Sequence, residues 1–464
     1  MERYGEVTLQ QMLDAREKRV RHQRELIERY RLPLLCFTMN IAGPVKNSDR
    51  IRRGFSYGLK DMELQCLRTG CAILHKEVWD GPTGNEAFLA IDAQPEFIKA
   101  LACELEDADE LGRLYDMDVL EPAAEDAWGF RKLTREQFGL SPRKCLICGR
   151  PAAECASRRV HSAEELSKVT REILRRAITE RTASKIAELA VRSLLYEVAT
   201  TPKPGLVDRV NNGSHKDMDF YSFLNSAAAL RPYFEICARA GSERAEGDSL
   251  PDLFEKLRLP GKLAENGMLR ATGGINTHKG AIFSMGILCA AVGAVAHEHW
   301  TDPEKIGSVC AKMTKGLVLR DFQGLTKEDR LTAGQRLYLE YGVTGVRGQM
   351  EEGLPAVLRY GLPALEKHLA DGKDPDEAGA AALLSVMANM TDTNLIARSD
   401  LTTQRKASSK AGELVRDGVC PGREAIEALD REFIDKNLSP GGSADMLALC
   451  WMLHFIKEEG AYDA

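Results

Sequence analysis

The sequence predicts two domains of different class, an N-terminal α+β domain over residues 1–177 and an all-α C-terminal domain over residues 178–464. Three observations carry this reading. The chain has 464 residues, more than one hydrophobic core usually serves. Compact apolar runs suited to strands, at residues 34–41, 71–78, 87–92 and 111–120, are confined to the first part. Beyond Ser162 apolar residues recur at helical spacing and strand signals nearly vanish. No internal repeat or low-complexity segment interrupts either part.

Composition narrows the function classes. Hydrophobic residues make up 44% and charged residues 28%, as in ordinary soluble globular proteins. A net charge of -6 provides no field for nucleic acid, so any phosphate site must be local. No basic segment with a following apolar stretch opens the chain, so no secretory signal is expected. The longest apolar run, Gly280 to Ala296, is short for a bilayer and is followed at once by His297, Glu298 and His299. It reads as a buried core helix rather than a membrane span. Most of the twelve cysteines stand singly in apolar surroundings, as at Cys103, Cys237, Cys289 and Cys450, which suits reduced thiols in a cytoplasm.

In order along the first domain, Val7 to Tyr30 has the apolar stripe of an amphipathic helix, ended by Pro33. The strand candidate Leu34 to Ile41 runs into Gly43-Pro44-Val45-Lys46. Arg50, Arg52 and Arg53 then open a helix, so Lys46, Arg52 and Arg53 are candidate phosphate ligands. Two further strands and a helix from Pro95 to Glu106 lead to Leu111-Gly-Arg113-Leu-Tyr-Asp116-Met-Asp118-Val-Leu120. Alternation along that strand puts Leu114, Asp116 and Asp118 on one face, with the carboxylates roughly 6–7 Å apart. Such a pair suits one or two Mg2+ ions in nucleotidyl transfer. Cys145, Cys148, Cys155 and His161 follow as C-x2-C-x6-C-x5-H. A knuckle with two more soft ligands can close a tetrahedron round a structural Zn2+. No base-reading helix or aromatic set accompanies it, so a nucleic-acid finger is not expected.

The segment Cys36 to His161 resembles holo-citrate-lyase synthase, the apo-citrate lyase phosphoribosyl-dephospho-CoA transferase. Gly43-Pro44-Val45-Lys46, the residues from Leu111 to Val119, and Cys145 to His161 carry the resemblance. It implies a nucleotidyltransferase-like domain. The family usually has His-Pro before Leu111-Gly112-Arg113, where this chain has Asp109-Glu110.

From Ser162 to Ala199 there is neither Gly nor Pro, and the joint between domains is placed near Ala177 to Ser184 in this helical stretch. The helix stops at Thr201-Pro-Lys203-Pro-Gly-Leu-Val-Asp208-Arg209, where two prolines remove amide donors. The loop continues through His215 and Asp217. Further Gly-rich clusters hold Asn276-Thr-His278-Lys279-Gly280, Gly342 to Gly353 with Arg347, Asp392-Thr-Asn394 followed by Arg398, and Ser439-Pro-Gly441-Gly442-Ser443-Ala-Asp445. Asn276 or Thr277 suits a helix cap, which leaves free amides for an anion. Five such loops heading apolar helices point to one shared pocket.

These motifs resemble triphosphoribosyl-dephospho-CoA synthase from about Glu188 to Phe455. One departure is Gln349, where that family usually has a glutamate. The resemblance implies that ATP and 3'-dephospho-CoA are joined with release of adenine. Lys203, Arg209, Asn276, Lys279, Arg347, Gly441, Gly442 and Ser443 would hold the nucleotides. Mg2+ would sit on Asp208, Asp217, Asp392 or Asp445. Glu197 would stabilise the oxocarbenium charge, and His215 and His278 would move protons. The first domain would then transfer the product to a serine of the citrate lyase acyl carrier protein (γ subunit), releasing pyrophosphate. There Asp116 and Asp118 would hold metal, and Lys46, Arg52, Arg53 and Arg113 the phosphates. Two alternatives remain at this stage: another carrier, such as that of malonate decarboxylase, or a zinc-stabilised binding protein without catalysis.

Overall fold

A computed structural model describes residues 4–126, 128–245, 247–325 and 331–462. The chain divides into two compact units, Met1–Glu180 and Arg181–Ala464.

The first unit is built on a five-stranded antiparallel sheet. Helix α1 (Leu9–Tyr30) starts with a Thr8–Gln11 capping box and ends at Arg31, whose φ of 52° stops the helix. There follow β1 (Leu34–Met39), α2 (Asp49–Thr69), the hairpin β2 (Ala72–Gly81) and β3 (Gly84–Asp92), and α3 (Pro95–Ala108). Then come β4 (Tyr115–Pro122), β5 (Phe130–Lys132), the short α4 (Ala152–Ser157) and the long α5 (Ala163–Ala199). The strand order is β2-β3-β1-β4-β5. One sheet face packs Leu35, Phe37, Leu89, Met117 and Val119 against Phe55, Met62, Ile98 and Leu101. The other packs Leu34, Cys36, Phe88 and Leu120 against Leu26 and Ile27 of α1.

Leu114 is a correction to the alternation read from sequence. The strand expected from Leu111 begins only at Tyr115, because Gly112–Leu114 turn as a 3-10 helix. Asp109 Oδ1 accepts the Gly112 amide at 2.7 Å, and a Cβ on Gly112 would run into the Leu105 carbonyl. The expected pair survives that shift. Asp116 and Asp118 lie opposite Thr38 and Cys36 across β1 and share one face.

The second unit is helical, with no strand among the described residues. Helices α6 (Phe220–Ser242), α7 (Leu250–Ala271) and α8 (Lys279–Ala294) open it after the end of α5. Helix α8 buries Ala281, Met285, Ile287, Leu288 and Val292 on all sides, which explains the long apolar run. Ten further α-helices follow in the described residues, ending with Gly441–Tyr462. No described helix is long and apolar enough to cross a membrane.

Candidate functional site

The second unit contains a cavity of about 520 Å³. Its walls come from the ends of helices far apart in sequence. Glu197 and Lys203 stand at the end of α5, and His215 and Asp217 in the following loop. Asn276, His278 and Lys279 stand at the start of α8, and Gly345 opens another helix. Thr391, Asn394 and Arg398, then Gly441, Gly442 and Asp445, complete it. Five of the expected residues stand off the lining: Asp208, Arg209, Arg347, Asp392 and Ser443.

Those five have visible alternative tasks. Asp208 accepts the amides of Lys203, Val210 and Asn211, so its carboxylate folds the loop. Arg209 pairs with Asp376 and Arg347 with Asp321 at 2.7 Å. Ser443 gives both its amide and its hydroxyl to Asp392 Oδ2, at 2.7 and 2.9 Å. Asp392 Oδ1 accepts the amides of Asn394 and Leu395. Asp392 therefore joins two cavity walls from beneath. Gln349 is also structural: its carboxamide oxygen accepts the Ala356 amide at 3.0 Å, and it does not line the cavity.

The electrostatics of the cavity are unusual. Lys203 is 1% exposed, and its Nζ meets Glu197 Oε1 at 2.5 Å and the Glu197 carbonyl at 2.7 Å. Burial pushes the Glu197 carboxyl up, and Lys203 opposes that shift. Burial drives Asp445 well above the carboxylate range, with Glu197 and Asp392 adding to it. The Ala281 amide at the head of α8 opposes that shift. His278 is buried, with Nδ1 2.6 Å from Ser226 Oγ and Nε2 without a partner among the described residues. Burial, and then Lys203, lower its pKa to about 3. His215 is lowered to about 4 by burial and by Arg398, and its Nε2 is 2.9 Å from Ser439 Oγ.

His278 makes a pH prediction. The unfolded chain protonates this group near 6.5 and the folded one only near 3. Between these values the unfolded state holds the extra proton, so stability present above pH 6.5 is lost as pH falls. The buried carboxylates act in the opposite sense, because their folded pKa values are raised. Denaturation midpoints of His278→Asn and the parent, compared from about pH 7 to 4, should therefore differ less at the acid end. A constant difference across that range would contradict the assignment of a neutral, buried imidazole.

Sequence reasoning missed several supports. Asp430 accepts the Gly205 amide at 2.8 Å and Asn211 Nδ2 at 2.9 Å. It lies on the buried stripe of its helix with Ile426, Leu429 and Phe433, and an acid on an apolar stripe was the available signal. Phe223 sets its ring edge-on to His278 at 5.0 Å.

In the first unit, Asp118 pairs with Lys132 at 2.5 Å and Asp116 with Arg143 at 3.3 Å. Burial and the neighbouring Asp118 raise the Asp116 pKa. A second cavity of about 720 Å³ is lined by Asn40, Arg113, Arg143, Lys144, Arg159 and the Cys145–His161 segment. Lys46, Arg52 and Arg53 do not line it. Lys46 donates to the Ile41 carbonyl, Arg52 lies near Asp49 and Asp80, and Arg53 donates to Tyr57. Cys145, Cys148, Cys155 and His161 come together, their ligand atoms all within 4.8 Å of one another.

Comparison with known proteins assigns both units. A family model described as ATP:dephospho-CoA triphosphoribosyl transferase matches residues 183–463. One described as Apo-citrate lyase phosphoribosyl-dephospho-CoA transferase matches residues 7–177. Protein CitXG of Leuconostoc mesenteroides subsp. cremoris is 33% identical over 462 residues, which cover 96% of each chain. Protein CitXG of Haemophilus influenzae is 33% identical over 457 residues, 96% of this chain and 95% of that one. A probable 2-(5''-triphosphoribosyl)-3'-dephosphocoenzyme-A synthase of Vibrio cholerae is 40% identical over 273 residues, 58% of this chain and 87% of that one.

Proposed function

The chain belongs to the CitXG family of fused transferases, and from that membership we infer how its own residues divide the two reactions. It is a bifunctional transferase. The second unit joins ATP to 3'-dephospho-CoA with release of adenine, and the first transfers the product to the apo acyl carrier protein of citrate lyase with release of pyrophosphate. We place the work in the cytoplasm and take the carrier to be the γ subunit of citrate lyase.

The observation that carries the residue assignment is the single cavity shared by the α5 end, the α8 start and residues 439–446 at the start of the last helix. A ribose hydroxyl of dephospho-CoA attacks the anomeric carbon of the ATP ribose, and the glycosidic bond breaks toward adenine. Lys203, Lys279, Arg398 and the amides at the start of α8 meet the triphosphate. Glu197 lies where a positive charge on the sugar is stabilised. His278 Nε2 receives the hydroxyl proton, and bound triphosphate raises its pKa by offsetting Lys203. His215, between Ser439 and Arg398, serves the departing adenine. Asp445 carries no counter-cation among its described partners, and with Asp217, which also lines the cavity, it would hold a Mg2+ ion that neutralises phosphate charge. Asp208 and Asp392, with their oxygens committed to amides, hold the walls.

In the first unit, a carrier serine attacks the phosphorus next to the ribose and pyrophosphate leaves. The antiparallel sheet acts as a nucleotidyltransferase-like platform in which Asp116 and Asp118 suit Mg2+. Arg113 and Arg143 take the phosphates. Lys46, Arg52 and Arg53, engaged elsewhere, have the weaker claim.

Two assays test this division. Protein incubated with ATP, Mg2+ and dephospho-CoA should release adenine, and added apo-carrier should then gain mass as pyrophosphate appears. A variant tests the cavity itself. A Cβ on Gly280 would meet the Asp445 carboxylate, so Gly280→Ala should lower adenine release about ten-fold or more. Its transfer of ready-made product should match the parent. Unchanged adenine release would place the reaction away from this cavity.

A further inference from the structure

The Cys145–His161 segment is folded as a metal knuckle before any metal is considered. Cys145 and Gly149 close a tight turn, with the Cys145 amide donating to the Arg150 carbonyl at 2.6 Å and the Gly149 amide to the Cys145 carbonyl at 3.3 Å. Gly149 has φ +72°. An isolated bridge pairs Lys144 with Pro151. Helix α4 brings in Cys155, whose Sγ lies 3.4 Å from Cys148 Sγ. His161, just before α5, leaves Nε2 buried and without a hydrogen-bond partner among the described residues. Tetrahedral Zn2+ with sulfur at about 2.3 Å sets ligand atoms roughly 3.8 Å apart, within the spread observed. Three thiolates and one imidazole suit zinc better than an iron–sulfur cluster, which takes four thiolates in most proteins. The cluster's net negative charge is matched locally by Arg143, Lys144, Arg150, Arg158 and Arg159.

The same segment holds the arginines of the neighbouring cavity. Arg113 donates to the Cys145 carbonyl at 2.9 Å. Arg143, two residues before Cys145, donates to the Tyr115 carbonyl and pairs with Asp116. We infer that Cys145, Cys148, Cys155 and His161 bind a structural zinc ion, and that this ion positions Arg113 and Arg143 for the transfer reaction. The second clause rests on the reading of the first unit given above, whereas the first stands without it.

Metal content tests the first clause whatever the activity. Full-length protein purified under reducing conditions, without added metal, should carry about one zinc per chain by elemental mass spectrometry. Exchange with Co2+ should give tetrahedral visible bands. Cys148→Ser should lose the metal, and Cys148→His should keep it. Metal-free parent protein, or a Cys148–Cys155 disulfide in its place, would overturn the site. For the second clause, metal-free Cys148→Ser should release adenine like the parent, which reports a folded second unit, and should transfer about 10–100-fold more slowly. Adding Arg113→Ala to it should cost little more, because both changes remove one support. Full transfer by the zinc-free variant, or losses that simply multiply, would overturn the positioning role.

Discussion

Lys203→Met is expected to give the largest loss in the second unit. The change leaves the buried Glu197 carboxylate without its counter-charge, beside Asp445. Breaking a buried pair from one side costs about 3–5 kcal/mol, which is a large part of a domain's stability. The denaturation midpoint of the second unit should fall accordingly, and adenine release should drop by at least about 100-fold. The double variant Lys203→Met with Glu197→Leu separates the two effects. Removing both charges should restore much of the stability, since a buried pair replaced by apolar groups is often neutral. It should not restore adenine release. A double variant that regains the reaction would show that the pair is scaffolding only. A single variant as stable as the parent would show that water reaches Glu197.

Asp116→Asn is expected to be the most damaging substitution in the first unit. Asp116 is half-exposed, so stability should change by only about 0.5 kcal/mol. The change removes one of two carboxylates on a shared strand face, together with the partner of Arg143. Transfer to the carrier should fall by about 10²–10³, while adenine release stays at the parental rate. Asp118→Asn should act in the same direction and also free Lys132. The measurement is carrier mass against time, with triphosphoribosyl-dephospho-CoA supplied directly. Equal losses of both reactions in either variant would count against separate sites.

Patterns that depend on backbone periodicity were legible in the sequence. Period-two alternation puts Asp116 and Asp118 side by side, and the structure sets both opposite β1 on one face. Helical spacing and small residues mark α8 as a core helix, and it is buried on all sides. Proline and glycine stop the helices at the loops that line the cavity of the second unit. Residue type alone did not say which way a charge turns. Asp208 and Arg209 share a loop with Lys203, yet Asp208 turns to backbone amides and Arg209 to Asp376. Their partners lie either in that loop or 167 residues away, and short-range patterns carry no information about the latter. Leu114 failed for a local reason, the tight turn that Asp109 and Gly112 impose.

The cavity of the second unit closes late in the making of each molecule. Its last wall, residues 439–446, is translated long after the installing unit, which ends at Glu180. Domains fold as units as they emerge, so a nascent or prematurely terminated chain can present the machinery for attachment while still unable to produce the group to be attached. Ribosome stalling or a nonsense mutation anywhere between those points would leave a chain dependent on other molecules for its substrate.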